Sequence, residues 1–469
     1  MIVLLASVER RWPDYRAVWR WHLYAGLYCI PFILLLSASG MIYLFKSEIE
    51  AWQDRPYDQL QRHQQAVPAS EQIAAAVAAV PGSRWKGYEL PVSEQSAARV
   101  LVSLQGQGIR VYVHPETLEI LHQVPEEVRL MRIVRRLHGE LLLGPNGSYL
   151  VELAACWTLV MILTGLYLWW PRNLPGWGGI LYPRVRHSGK IFWRDMHSVT
   201  GIWISTLVIF LIVSGLPWSK FWGEYFKTLR TLTHTAVARQ DWSTGNETPR
   251  GEHSSHEGHQ VSSGRESLSR SSRTASESSV VDYTTVDRIA ATVIPLKLPA
   301  PVIIEPPAQG ETTWSAKSMT ANRPQRVTLQ LDATSGAVVS RENFRDRHLV
   351  DRIVGTGIAL HEGQLFGWPN QALGVLTALG LLVMSLSGLV LWWRRRHPGE
   401  LGAPPAGHPA RFSMMLTLSL LCLAIFMPLF GATLVGVLLL EWGLLSRIPG
   451  VRTWLGLRGC VPRQARGEA

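Results

Sequence analysis

At 469 residues, 47% hydrophobic and only 17% charged, the chain is too long for one small domain and too apolar for an ordinary soluble one. Its net charge of +11 does not point to nucleic acid, because the arginines cluster beside apolar runs, where lipid headgroups are the natural partner. The four cysteines, Cys29, Cys156, Cys422 and Cys460, show no CxxC spacing, and three sit inside apolar runs. That pattern argues against a disulfide framework and a zinc site.

Taken in chain order, five stretches lack Asp, Glu, Lys, Arg and His: 23–45, 153–170, 198–219, 363–393 and 412–440. A hydrocarbon core of about 30 Å needs roughly 20 residues of helix, so each is expected to span a bilayer, the second with help from its flanks. The expected fold is an α-helical polytopic membrane protein with about five spans. Its segments are an N-terminal stretch 1–21, spans 22–46, 149–170, 197–219, 367–393 and 412–440, outer domains 47–148 and 220–366, loops 171–196 and 394–411, and a tail 441–469. The first span reads as an uncleaved signal anchor.

Arginines set the orientation. Arg10, Arg11, Arg16 and Arg20 precede the first span, Arg172, Arg184, Arg186, Lys190 and Arg194 join the second and third, and Arg394, Arg395, Arg396 and Arg411 join the fourth and fifth. By the positive-inside tendency these segments are cytoplasmic and both long domains face outward, in a bacterial inner membrane periplasmic. Five spans then put the arginine-rich tail outside. Either the tail breaks the tendency or the last span, which contains Pro428, does not fully cross.

The outer stretches read as two small α+β domains. In the first, 71–80 reads as a helix, and 99–104 and 110–124 as strands, with a turn at Pro115–Thr117. In the second, 285–293 reads as a helix and 326–343 as a hairpin turning at Asp332–Gly336. The Ser, Gly and charge-rich insert 243–279 has almost nothing to bury and is expected to be disordered and dispensable for folding. Within it His253, His256 and His259 stand at spacings of three, a loose metal site at most.

Repeats carry the functional reading. LHGELLLG at 137–144 and LHEGQLFG at 360–367 share Leu-His with Gly six after the His; Gly165 and Gly388 follow 27 after it, and Trp169–Trp170 and Trp392–Trp393 follow 31 and 32 after. Likewise Gly26 and Gly201 lie four after His22 and His197, with Ser39–Gly40 and Ser214–Gly215 at 17 and 18. The unit is span, outer domain, span, used twice in the same direction, a parallel internal repeat. Topology then sorts the histidines by depth: His22 and His197 at the cytoplasmic face, His138 and His361 at the outer face. Packing explains glycines kept in both copies, but not a histidine at the same place in each. Two neutral histidines facing across an apolar slot are what a bis-imidazole haem needs. Ligands of one iron share one depth, so the expected pairs are His22 with His197 and His138 with His361. With no CxxCH for covalent attachment, two b-type haems are the expected cofactors. Gly26 and Gly201, one turn from a histidine, would make room for a porphyrin. Arg129 and Arg352, nine residues before an outer histidine, are candidates for its propionates. The tryptophan pairs read as an aromatic belt.

WHLYAGL, LHGELLLG with GLYLWWPR, DMHSVTG, and LHEGQLFG with GLVLWWRRR together resemble the PepSY-associated transmembrane family, and within it the bacterial inner-membrane di-haem ferric-siderophore reductases, over about 12–445. The resemblance implies periplasmic PepSY domains in the outer loops and an electron path from the cytoplasmic side to a ferric siderophore or other Fe(III) chelate outside, whose iron is released on reduction. The insert departs from the family pattern. A membrane-anchored PepSY binding or regulatory protein without redox activity is the alternative. A transporter is disfavoured by the lack of an acid within any of the five uncharged runs, and no GxGxxG or P-loop points to nucleotide chemistry. The electron donor must be another molecule: quinol, flavin or a partner protein.

Overall fold

The computed structural model describes residues 15–170, 176–233, 235, 283–307, 312–404 and 414–456. The insert 243–279, with His253, His256 and His259, lies outside the described residues. In chain order, α1 (Tyr15–Leu44) continues into α2 (Lys46–Asp54), and α3 (Ala69–Ala79) precedes β1 (Arg84–Glu89), β2 (Ala98–Leu104), β3 (Gln107–Val113) and β4 (Ile120–Pro125). Then α4 (Leu130–Glu140) leads into α5 (Pro145–Trp169). The same order recurs: α6 (Lys190–Gly215), α7 (Lys220–Leu232), α8 (Thr284–Val293), β5 (Val302–Glu305), β6 (Thr313–Ser318), β7 (Val327–Asp332), β8 (Val338–Asn343), α9 (Leu349–His361) and α10 (Trp368–Arg395). Beyond it come α11 (Met414–Phe426), α12 (Pro428–Leu440) and α13 (Pro449–Trp454).

The outer stretches do not stand as two separate domains. Their eight strands form one antiparallel sheet, β4-β3-β2-β1-β5-β6-β7-β8, joined where Tyr88 lies opposite Ile304 and Glu89 opposite Ile303. Each half alone would leave a row of unpaired N–H and C=O groups on its inner edge, and the β1–β5 contact satisfies them. Helices α3 and α8 cover one face together, burying Ile73, Ala76, Ile289 and Val293 against Val100, Ile304 and Leu329. On the other face Arg99 and Arg110 are buried in ion pairs, Arg99 with Asp58 (2.8 Å) and Arg110 with Glu126 (2.6 Å). Asp58 belongs to the link from α2, so the pairing ties the sheet to the end of α1.

Among the described residues five helices are long and apolar enough to cross a membrane, so the number of spans agrees with the sequence. The bounds differ in two places. First, α5 begins at Pro145, after Gly144 at φ +60°, a start repeated by Gly367 (φ +65°) and Pro369 of α10. Gly supplies the positive φ, and Pro is favoured in a first turn whose N–H groups have no helical partner. The earlier start brings Glu152 inside the helix, 2% exposed, so the transporter reading no longer fails for want of an acid in a span. Its carboxylate accepts the backbone N–H groups of Phe221 (2.9 Å) and Trp222 (3.1 Å) at the start of α7, which accounts for its burial as a helix cap.

Second, the run 412–440 is not one helix. A Cβ on Gly431 would come within 3.0 Å of that of Ala424, whereas residues seven apart in a straight helix are separated by about 10 Å. The chain therefore folds back at Met427 (φ −126°, ψ 82°), because Pro428 can neither donate to α11 nor let the preceding residue stay helical. The membrane-length segment is Pro428–Leu445, and it returns toward the end from which α11 came. There the Leu401 amide donates to the Trp454 carbonyl (2.9 Å) and Tyr24 donates to the Leu455 carbonyl. The described part of the tail, to residue 456, thus lies beside residues 394–404, at the same end of the bundle. A reporter fused after Ala469 is expected to read the same side of the membrane as one inserted in loop 176–189; opposite sides would contradict the hairpin.

Candidate functional site

Two ends of the helical bundle are distinguished by what they carry: the sheet end and the loop end. His22 and His197 are each the eighth residue of their helices, α1 and α6. They meet near the loop end, with ring centres 6.1 Å apart and planes at 81°. His138, in the last turn of α4, and His361, the last residue of α9, sit at the sheet end. Burial pushes both of these imidazoles down to about 4, and for His138 the neighbouring charge of His361 adds to the shift. Both rings are therefore neutral near pH 7 and keep a free lone pair.

Each histidine is seated by one device, used four times. His22 Nδ1 lies 3.0 Å from the Thr164 hydroxyl, and a Cβ on Gly165 would meet its Cε1 at 3.1 Å. His138 Nδ1 lies 3.1 Å from the Ser39 hydroxyl, with Gly40 at 3.1 Å from Cε1. His361 Nδ1 lies 2.9 Å from the Ser214 hydroxyl, with Gly215 at 3.5 Å. His197 Nδ1 lies 2.8 Å from the Met384 carbonyl, with Gly388 at 3.1 Å. In this fourth case the hydroxyl of Ser387 also bonds the Met384 carbonyl, at 3.0 Å. The device is a hydroxyl residue followed by glycine on a membrane helix, with an imidazole laid over the gap.

The hydroxyls fix the tautomer. Thr164 donates to the Val160 carbonyl (2.8 Å), Ser39 to Leu35 (2.8 Å) and Ser214 to Phe210 (2.7 Å). With its proton committed to the helix, each oxygen can only accept, so the histidine Nδ1 carries the hydrogen. The Met384 carbonyl imposes the same on His197. All four Nε2 atoms are left bare, and no partner for them occurs among the described residues. An Nδ1–H held by an oxygen and an exposed Nε2 lone pair is the arrangement of a metal-ligating histidine.

Of the four histidines foreseen from the repeat, His22 and His197 meet ring to ring, and His138 and His361 sit at the sheet end within reach of each other's charge. The other foreseen residues fall elsewhere. Gly26 and Gly201 face the sulfurs of Met161 (3.5 Å) and Met384 (3.4 Å), so the room they provide is taken by methionine. Arg129 reaches Asp54 (3.8 Å) and Glu126 (3.7 Å), and Arg352 is exposed. Nine residues are two and a half helical turns, which turns an arginine away from the face its histidine uses. Sequence reasoning missed the roles of Thr164, Ser387 and the four seat glycines, although Gly165 and Gly388 were already in repeat register. Thr164 and Ser387 each stand 26 residues after the Leu-His histidine, a signal that was available.

At the loop end Asp195 is fully buried between Arg184 (2.7 Å) and Arg194 (2.7 Å), two residues before His197. This clamps loop 176–189 onto α6. The first tryptophan of each pair does similar work, Trp169 donating to the Ile180 carbonyl (3.2 Å) and Trp392 to Leu401 (2.9 Å). Trp170 and Trp393 point outward and are exposed, as an aromatic belt requires. A family model described as the PepSY-associated TM region matches residues 19–395. The chain belongs to the PepSY-associated transmembrane family. The match runs from just before His22 to the end of α10, so both histidine pairs lie within the family region, and α11–α13 lie beyond it. No curated protein compared with the chain matches it.

Proposed function

We propose that this family member is a di-haem inner-membrane reductase that passes electrons across the bilayer to a ferric siderophore or similar Fe(III) chelate on the periplasmic side. The observation that carries the reading is the committed Nδ1 and bare Nε2 of all four histidines. Spacing supports it: a nitrogen about 2 Å from a metal puts its ring centre about 3 Å away, so two opposed imidazoles on one iron span about 6 Å. The 6.1 Å between the His22 and His197 rings fits that span.

In this reading His22 and His197 hold one haem b and His138 and His361 the other. Haem supplies one-electron transfer without proton exchange. The chain's own residues do the rest. The hydroxyl–glycine seats fix each ring through its Nδ1, and the membrane helices set a dry interior around the pairs. In this reading the eight-stranded sheet roofs the periplasmic end, above His138 and His361. Reduction loosens a hard-oxygen chelate, because its donors suit Fe(III) better than Fe(II), and iron is released.

Proteoliposomes carrying an internal reductant are expected to yield external Fe(II), captured by ferrozine, from at least one ferric siderophore. Reduced haem that passes electrons to none of them but reoxidises promptly with a quinone would move the function to respiratory electron transfer. A purified protein without a Soret band would favour a binding or regulatory role.

A further inference from the structure

Beyond the histidine pairs, the loop end holds a second acid in a membrane helix. Glu441 is half-buried and opens a π-helical turn, Glu441–Leu445, inside the membrane-length segment Pro428–Leu445. An ionisable residue at such a place is costly and marks a function, and π turns recur at functional sites. Helix α1 turns a stripe of side chains toward it: Arg20, Tyr24, Tyr28 and Phe32 recur every fourth residue and share one face. Tyr24 donates to the Leu455 carbonyl just past the π turn, and the charges of Arg20 and Glu441 both act on its hydroxyl.

Tyr28 stands one turn deeper, about 6 Å along α1. Its ring meets Phe32 with centres 5.2 Å apart and packs, with Trp157 of α5, on the cluster of Ala25, Cys29 and Met161. Trp157 in turn meets Phe430 of α12 edge-on at 5.4 Å, so the stripe runs along the seam of α1, α5 and α12. The Tyr28 hydroxyl is buried and has no hydrogen-bond partner among the described residues, which is rare for a buried polar group. The seam opens on lipid, because Leu439 and Trp442 beside Glu441 are 61% and 72% exposed. A soluble flavin or partner protein would dock on the water-facing loops instead. A quinol suits this place: it dissolves in the bilayer, and it carries a hydroxyl at each end of one flat ring.

We propose that the electron donor is a membrane quinol bound between α1 and the π turn, with Glu441 accepting its protons and Tyr28 giving a hydrogen bond to the oxygen at the far end of its ring. The inference rests on the di-haem reading above. Both O–H bonds of the quinol break. The two protons pass in turn through the Glu441 carboxylate to water at the loop end. The two electrons leave singly, each taking one haem iron from Fe(III) to Fe(II), and the quinol becomes the quinone with no bond formed to the protein. Tyr24 stands two residues after His22, on the opposite side of α1, so each electron crosses one helix width, about 10 Å, to reach the loop-end pair.

Stopped-flow mixing of the haem-loaded full chain in nanodiscs with decylubiquinol tests this, read as the rise of the reduced-haem band. Wild-type haem is expected to be reduced by the quinol. Glu441→Gln should slow that reduction about 100-fold, while haem content and reduction by dithionite stay as in the parent. Tyr28→Phe, which deletes one hydroxyl, should raise the quinol concentration for half-maximal rate about fivefold and leave the limiting rate unchanged. Parental kinetics in both variants would reduce the cluster to a tie between α1 and the tail and overturn the proposal. So would wild-type haem that dithionite reduces and decylubiquinol does not. If Glu441→Gln takes up no haem, Tyr28→Phe decides, and an unchanged half-maximal concentration overturns the proposal. Wild-type protein lacking haem would instead overturn the di-haem reading, and this inference with it.

Discussion

Replacing His22 by alanine is expected to remove one of two haems, and His197→Ala to remove that same haem, while His138→Ala and His361→Ala each remove the other. The expectation follows from the pairing. The His22 and His197 rings are 6.1 Å apart at the loop end, whereas His138 and His361 lie at the opposite end of α1 and α6, seated by Ser39–Gly40 and Ser214–Gly215. Seventeen residues of helix, the separation of His22 from Ser39, cover about 25 Å, so no iron can be shared between the ends. Losing one imidazole leaves its partner in place but takes away half of the axial ligation. The effect is read as the loss of one of two waves in a reductive titration. A common signal lost in His22→Ala and His138→Ala, with the other retained, would show that the pairs are drawn wrongly.

The second large effect concerns stability. Arg230 of α7 and Asp351 of α9 form an ion pair at 2.6 Å with side chains 3% and 9% exposed, and it ties together two helices that flank the sheet-end pair. Removing one partner of a buried pair strands the other charge, which costs about 3–5 kcal/mol. Arg230→Ala should lower the melting temperature in detergent sharply, and the double change Arg230→Leu with Asp351→Leu should recover most of the loss. A single variant as stable as the parent would mean that water or lipid headgroups already solvate the pair.

Much of this architecture is written in local pattern. Uncharged runs mark the helices, alternation marks β2, β3 and β7, and the repeat of LHGELLLG in LHEGQLFG marks the histidines before any coordinate is known. What escaped depends on contacts between distant residues. The β1–β5 junction pairs Tyr88 with Ile304, and nothing within RWKGYE or VIIE announces a partner so far along the chain. The fold-back at Met427 was hinted at by Pro428 and by the arginines of the tail, but only the approach of Gly431 to Ala424 establishes it. The site shows the same division. Spacing alone singled out the four histidines, and it looked for room beside them at Gly26 and Gly201 because these share a helix with His22 and His197. The glycines that seat the rings, Gly165, Gly388, Gly40 and Gly215, stand on the helix opposite each histidine. Repeat register cannot tell a neighbour on the same helix from one across the interface.

The di-haem assignment is tested most directly by pyridine haemochrome analysis of the full chain purified from membranes, with protein quantified independently. Four histidines with committed Nδ1 atoms and bare Nε2 atoms, paired at two depths, predict close to two b-type haems per chain. A value near zero would contradict the account.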